Sequence, residues 1–192
     1  MRILGICGSL RAASSNLTLL RAAAAIAVED IEMTIAAPLD RLPHFNPDLD
    51  DPELDASAPP EAVRVWRREI AEAAGVYICS PEYAFGIPGP LKNALDWLVP
   101  SGELYRKPTA LITASPNYGG AQHAQAHLRD TLRAQHAHLL EAACVSVPMV
   151  RTRFAADGSL TDAGLRAELE AGLKSLAEAA RQALLESTAG VT

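Results

Sequence analysis

The chain has 192 residues, 49% of them hydrophobic and 21% charged, and carries a net charge of −6. That length suits a single domain with a full buried core, and a mildly acidic chain with no basic stripe or tail excludes a nucleic-acid-binding reading. No apolar run approaches the roughly 20 residues that span a bilayer, and the apolar part of Met1 to Gly8 is too short for a signal peptide.

The expectation is therefore a cytoplasmic protein without a membrane partner. Cys7, Cys79 and Cys144 all lie in apolar runs, and none belongs to a C-x-x-C motif. They are expected to be small, buried, reduced thiols.

Short apolar runs alternate with helical patterns along the chain. Ile3 to Cys7 predicts a first strand. Ser15 to Val28 predicts a helix with Leu17, Leu20, Ala24 and Ala27 on its apolar side, and Ile31 to Ala36 a second strand. Pro38 to Pro60 is rich in Pro, Asp and Asn and reads as a surface excursion. Glu61 to Ala74 is helical, with Val63, Trp66, Ile70 and Ala74 at helical spacing. Val76 to Ser80 is a third strand, and Pro88 to Leu98 a helix. Thr109 to Ala114 is a fourth strand, Gln122 to Gln135 a helix, and Cys144 to Val147 a fifth strand. Thr161 to Glu186 closes the chain as a long helix with Leu165, Leu169, Leu173, Leu176, Ala180 and Leu184 as its stripe.

Five strand-then-helix units argue for an α/β protein with a parallel sheet covered on both faces. Five strands in a chain of this size favour the flavodoxin-like order 2-1-3-4-5 over a six-stranded Rossmann sheet. The fold class expected is thus a three-layer α/β/α sandwich. Ligands in such sheets gather outside the carboxyl ends of the strands, which directs attention to the loops after strands one, three and four.

The first of these reads Gly8-Ser9-Leu10-Arg11-Ala12-Ala13-Ser14-Ser15-Asn16 and runs straight into a helix. A helix N-terminus offers unpaired amides and partial positive charge. Ser9, Ser14, Ser15 and Asn16 add donors, and Arg11 adds a planar guanidinium. Neither G-x-x-x-x-G-K-[ST] nor G-x-G-x-x-G is present, so the donors suit a terminal phosphomonoester rather than a triphosphate or pyrophosphate. The competing reading is a plain Ser-rich cap with Arg11 in solvent.

The loop after strand three, Ser80 to Pro90, is dense in Pro and Gly, which rigidify a tight path. Its free amides, aromatic rings and Pro81 suit a slot for a planar heterocycle beside a helix N-terminus. Together, Gly8-Ser9-Leu10-Arg11 with Ser14 and Asn16, Ser80-Pro81-Glu82-Tyr83, Gly86-Ile87-Pro88-Gly89 and Leu91-Lys92-Asn93-Ala94-Leu95-Asp96-Trp97 resemble the NAD(P)H-dependent FMN reductase family. That family includes chromate, quinone and azo-dye reductases. The resemblance runs from Ile3 to about Ala121, and the rest keeps the family's element order.

The resemblance implies FMN as cofactor and NADPH or NADH as co-substrate. By it, Ser9, Arg11, Ser14, Ser15 and Asn16 hold the FMN phosphate. Pro81, Glu82, Tyr83, Ala84 and Phe85 line the ring, chiefly through backbone groups. The loop after strand four, Ser115-Pro116-Asn117-Tyr118-Gly119-Gly120-Ala121, touches its pyrimidine side through Ser115, Tyr118, Gly119 and Gly120. Many members carry Asn where this chain has Ala84, so a side-chain contact there is lost or replaced. The resemblance also implies a homodimer or homotetramer with a small-molecule acceptor. Trp97 is expected in the core or at the subunit interface, where Trp97 and Leu98 would serve as apolar anchors. Lys92, Asn93 and Asp96 read as helix-surface residues.

His123 and His127 are spaced i,i+4, with His136 and His138 nearby. No H-E-x-x-H pattern or third ligand accompanies them, and they read as solvated helix residues rather than a metal site. No Ser-His-Asp arrangement can be argued. With FMN carrying the chemistry that the resemblance implies, no protein acid or base is required, and no catalytic side chain is named. Two other readings stay open at this point: a flavodoxin-type single-electron carrier without NAD(P)H activity, and a regulatory module on the same fold.

Overall fold

The structure is a computed structural model that describes residues 1–26, 28–54 and 59–189. Strands β1 (Arg2–Cys7), β2 (Glu32–Ile35), β3 (Gly75–Ser80), β4 (Pro108–Ala114), β5 (His138–Leu139) and β6 (Val145–Val147) form one parallel sheet. The order is β2-β1-β3-β4-β5, and β6 also pairs with β4. The expected fifth position is therefore filled by two short pieces, β5 and β6, separated by a 3-10 turn at Glu141–Ala143. Sequence showed only the second piece. His138–Leu139 is too short to display a strand period.

β3 and β4 are buried along their whole length, because helices cover both faces of a parallel sheet. Side chains alternate between the two cores. Leu4, Ile6, Val76, Ile78 and Leu111 meet α2 (Glu61–Glu72), α3 (Gly89–Asp96) and α4 (Gln122–Ala134). Ile3, Tyr77, Cys79, Ala110 and Ile112 meet α1 (Ser15–Ala24) and α5 (Ala163–Ala189). This is the doubly wound flavodoxin-like sandwich that the alternation implied.

The helix details differ. α1 stops at Ala24 and buries Asn16, Leu19, Leu20 and Ala23 rather than the Leu17, Leu20, Ala24 face; Ala27 lies outside the described residues. Alanine-rich sequence leaves the apolar face weakly marked, and docking against β1 to β3 selects it. Leu165 through Ala180 of the α5 stripe are buried, but Leu184 is 51% exposed. Cys79 is buried, whereas Cys7 and Cys144 are only half-buried, and all three are free thiols. Burial raises the pKa of each, which keeps them as unreactive thiols.

The Pro38 to Pro60 excursion is fastened down. Asn93 Oδ1 accepts from the Phe45 amide at 2.7 Å, and the Asn93 and Trp97 side chains both donate to Pro43 O. Arg67 forks onto Asp50 at 2.7 and 2.6 Å and also donates to Trp97 O. Asn93 is thus a loop anchor rather than a surface residue. Trp97 and Leu98 are wholly buried within the chain and cannot anchor a partner subunit.

Candidate functional site

The loop after β1 is shaped from beneath. The Gly8 amide donates to Cys79 O at 2.8 Å, and a Cβ on Gly8 would sit 2.9 Å from Leu91 Cδ2. A larger residue here would have to displace the Leu91 side chain of α3. Ser14 then caps α1, its Oγ accepting from the Leu17 amide at 3.3 Å. Asn16 is buried and accepts from Cys79 Sγ at 3.5 Å, which ties the helix start to β3. The first turn of α1 carries no acidic residue. Its remaining amides and the dipole therefore act on the loop uncompensated.

The loop after β3 is tied to α4. Glu82 Oε2 accepts from the backbone amides of His123 at 2.9 Å and Ala124 at 3.0 Å. This carboxylate caps a helix whose own N-cap residue, Ala121, offers no side-chain acceptor. Beyond it, Tyr83 and Gly86 exchange two backbone hydrogen bonds of 3.0 Å around Ala84 and Phe85. Both central residues have positive φ, 48° and 62°, the type I′ pattern that favours Asn and Gly. An Asn expected at this position from the resemblance would thus find a backbone preference there, independent of any ligand contact. Phe85 packs edge-on against the His123 ring at 4.9 Å, and His127 Nδ1 accepts from the Ile87 amide at 3.5 Å. These two histidines are exposed, yet they hold the hairpin.

The loop after β4 is stitched to the segment after β6. The Ser115 amide donates to Val147 O, the Val150 amide to Ser115 O, and the Met149 amide to Asn117 O. Gly120 is committed to this framework. Its φ is +58°, a Cβ there would collide with Ser146 Oγ, and its carbonyl accepts from Thr113 and Ser146. Gly120 is thus closed over by protein rather than held open for a ligand. Gly119 has open space around it, and Tyr118 is 87% exposed.

The three loops meet at one cavity of about 160 Å³ at the carboxyl edge of β1, β3 and β4, where the strand order reverses. Ser9, Arg11, Ser14, Ser15 and Asn16 line one side, Pro81, Glu82 and Tyr83 another, and Ser115 a third. Ala84, Phe85, Tyr118, Gly119 and Gly120 lie outside its lining. Ala114, Pro116, Asn117, Val150 and Arg151 complete it and were missed by sequence reading. Val150 and Arg151 follow the last strand, where the same carboxyl-end rule applies.

The lining is electropositive. Arg11 and Arg151 have no ion-pair partner among the described residues, and the single acid in the lining, Glu82, spends its carboxylate on the α4 amides. Such a set of donors suits an anion. Among the described residues, no group of three or more metal-ligating side chains could hold a metal ion.

A flavodoxin-like sheet with an anion cradle at its switch point defines a class of nucleotide-cofactor proteins. The profile of the NADPH-dependent FMN reductase family matches residues 1–152, and the chain belongs to that family. It is 36% identical over 181 residues to a probable NADPH:quinone oxidoreductase of Oryza sativa subsp. japonica, covering 92% of this chain and 90% of that protein. It is 32% identical over 178 residues to an NAD(P)H-dependent FMN reductase of Pseudomonas aeruginosa, covering 92% and 93%. Among solved structures it resembles FerB, a flavoenzyme NAD(P)H:(acceptor) oxidoreductase from Paracoccus denitrificans, with a TM-score of 0.79, 29% identity and coverage of 92% and 97%. Family membership makes the chain an FMN-dependent oxidoreductase that draws on a nicotinamide nucleotide, and sets aside the electron-carrier and regulatory-module readings.

Proposed function

We propose that the cavity after β1, β3 and β4 is the FMN site, and that the chain reduces small acceptors of the quinone, flavin, azo or metal-oxyanion class there. The observation that carries the reading is the convergence of Ser9, Arg11, Ser14, Ser15, Asn16, Pro81, Glu82, Tyr83 and Ser115 on one cavity. The fit is good at one end of the cofactor. About 160 Å³ is small beside the roughly 300–1,000 Å³ of pockets that enclose a whole ligand. The enclosed part suits a phosphate and its polyol chain, and a ring attached to them would have to extend past the cavity mouth beside Tyr83.

When bound, FMN supplies hydride acceptance from the nicotinamide and electron delivery to the acceptor. The chain's own work is positioning. Arg11 and the α1 amides hold the phosphate, Glu82 holds the rim loop in place, and the exposed rim admits nicotinamide and acceptor in turn, which implies ping-pong kinetics.

The whole chain forms one such unit and acts in the cytoplasm. Among its described residues, no helix is long and apolar enough to cross a membrane. It assembles as a homodimer or homotetramer through Pro88–Lys107, where Val99 and Tyr105 are exposed at 57% and 62%. The test is NADPH and NADH oxidation against an acceptor panel, with FMN affinity measured for Arg11→Ala. Loss of one charge-assisted phosphate contact weakens FMN binding by about 1.5–3 kcal/mol. Unchanged affinity would remove Arg11 and this cavity from the reading.

A further inference from the structure

The first loop supplies one guanidinium to the cavity; a second arrives from a part of the chain that carries no phosphate motif. Arg151 lies in the 3-10 turn Val150–Arg153, after β6, and faces the same cavity as Arg11. Neither arginine has a partner within the described chain. Two like charges lining one small cavity repel each other, and an anion between them would relieve that repulsion. The single carboxylate in the lining, on Glu82, is turned toward α4, where its Oε2 accepts from the amides of His123 and Ala124. The lining therefore carries two guanidiniums against one carboxylate, a net positive charge to which the α1 dipole adds.

We propose that Arg151 is a second phosphate-binding residue, and that Arg11 and Arg151 hold a phosphomonoester dianion from opposite sides. This rests on the reading of the cavity as the cofactor site. A dianion matches two guanidiniums in charge, where a phosphodiester leaves one of them uncompensated and an uncharged polyol leaves both.

The turn that carries Arg151 is built rigidly. Val150 is buried, and its amide donates to Ser115 O at 3.0 Å. The Met149 amide donates to Asn117 O at 3.1 Å, and Met149 itself has φ +51°, an unfavourable backbone for a side-chain-bearing residue. Strain of this kind persists only where surrounding bonds over-determine it, and it collects at binding sites. Arg153 braces the turn from behind, donating to Pro148 O and pairing with Asp162 at 2.5 Å. Arg151 has no side-chain hydrogen bond or ion pair among the described residues and lines the cavity.

The test compares full-length wild type with Arg151→Ala, Arg151→Lys and Arg151→Glu. Each is titrated with FMN and with riboflavin, followed by flavin fluorescence, and the nicotinamide KM is measured with NADPH and NADH. Because Arg151 makes no bond within the described chain, thermal midpoints should match wild type. Arg151→Ala is expected to weaken FMN binding about tenfold or more, leave riboflavin unchanged and flatten the salt dependence of FMN affinity. Arg151→Lys should recover part of the loss and Arg151→Glu should exceed it.

A tenfold rise in NADPH KM with NADH and FMN unaffected would support the phosphomonoester assignment, and place the phosphate on the nicotinamide nucleotide instead. FMN and NADPH constants that all stay within twofold of wild type would overturn the proposal. Wild-type protein that binds no FMN would instead overturn the cofactor-site reading on which it rests.

Discussion

The Glu82 carboxylate lies 3.0 Å from the backbone amide of Ala124, and this pair joins the loop after β3 to the start of α4. One oxygen thereby caps a helix that lacks a cap of its own and sets the height of the rim carrying Tyr83. Glu82 also lines the cavity, so stability and site geometry depend on the same side chain. Glu82→Ala should cost about 1–2 kcal/mol in denaturant unfolding and weaken FMN binding. Glu82→Gln keeps an acceptor but loses the charge-dipole attraction, and should cost about 0.3–1 kcal/mol. Equal stability of all three proteins would show that the cap is not formed in solution.

Ala84 and Phe85 both sit in left-handed backbone, at φ 48° and 62°. Placing a residue with a Cβ there costs about 1–2 kcal/mol. Ala84→Gly and Ala84→Asn should therefore raise the unfolding free energy by up to about 1 kcal/mol. Because Ala84 lies outside the cavity lining, FMN affinity should hold. A large gain in affinity for Ala84→Asn, with no gain in stability, would restore the side-chain contact as the reason for Asn in relatives.

Tyr77 is buried with its hydroxyl unpaired, and a Cβ at Gly172 would stand 2.9 Å from that oxygen. A buried unsatisfied hydroxyl costs about 1–3 kcal/mol, so Tyr77→Phe should be neutral or stabilising by about 1 kcal/mol. Gly172→Ala should destabilise the wild type by crowding the hydroxyl. In the Tyr77→Phe background it should turn neutral or favourable, since alanine is about 1 kcal/mol better than glycine inside a helix. Additive effects in the double-mutant cycle would contradict direct contact between these positions.

Asp162 accepts from the Leu165 amide at 2.9 Å and pairs with Arg153. The Leu165 bond first, and then Arg153, hold its pKa below the ordinary 3.8. A carboxylate depressed in the folded state stabilises it above the unfolded pKa, and that contribution is lost as pH falls through the folded value. Thermal midpoints of wild type and Asp162→Ala should therefore differ at neutral pH and converge as pH falls below 3.8. A gap that persists undiminished at lower pH would mean the depression is absent.

Much of this was readable before any coordinates. The alternation of strand and helix gave the layer order, and Ser9, Arg11, Ser14, Ser15 and Asn16 were legible because donors and a helix start are contiguous in sequence. Pro81, Glu82 and Tyr83 followed from the resemblance to the reductase family, in a loop that the position after a buried strand singles out. The split fifth strand was hidden because two residues carry no period. Gly119 and Gly120 looked alike as neighbours in a turn, yet only Gly120 is filled against Ser146 and Pro148. The α1 face was misjudged because an Ala-rich helix has little hydrophobic contrast.

Local chemistry is written in consecutive residues, so the strands, the helix starts and the anion-binding character of the first loop belong to the sequence by itself. What lies opposite a loop depends on which strand ends become neighbours. Residues distant along the chain meet only when the sheet order β2-β1-β3-β4 closes, and tertiary structure alone then set Glu82 on the α4 amides and Arg151 in the same cavity as Arg11.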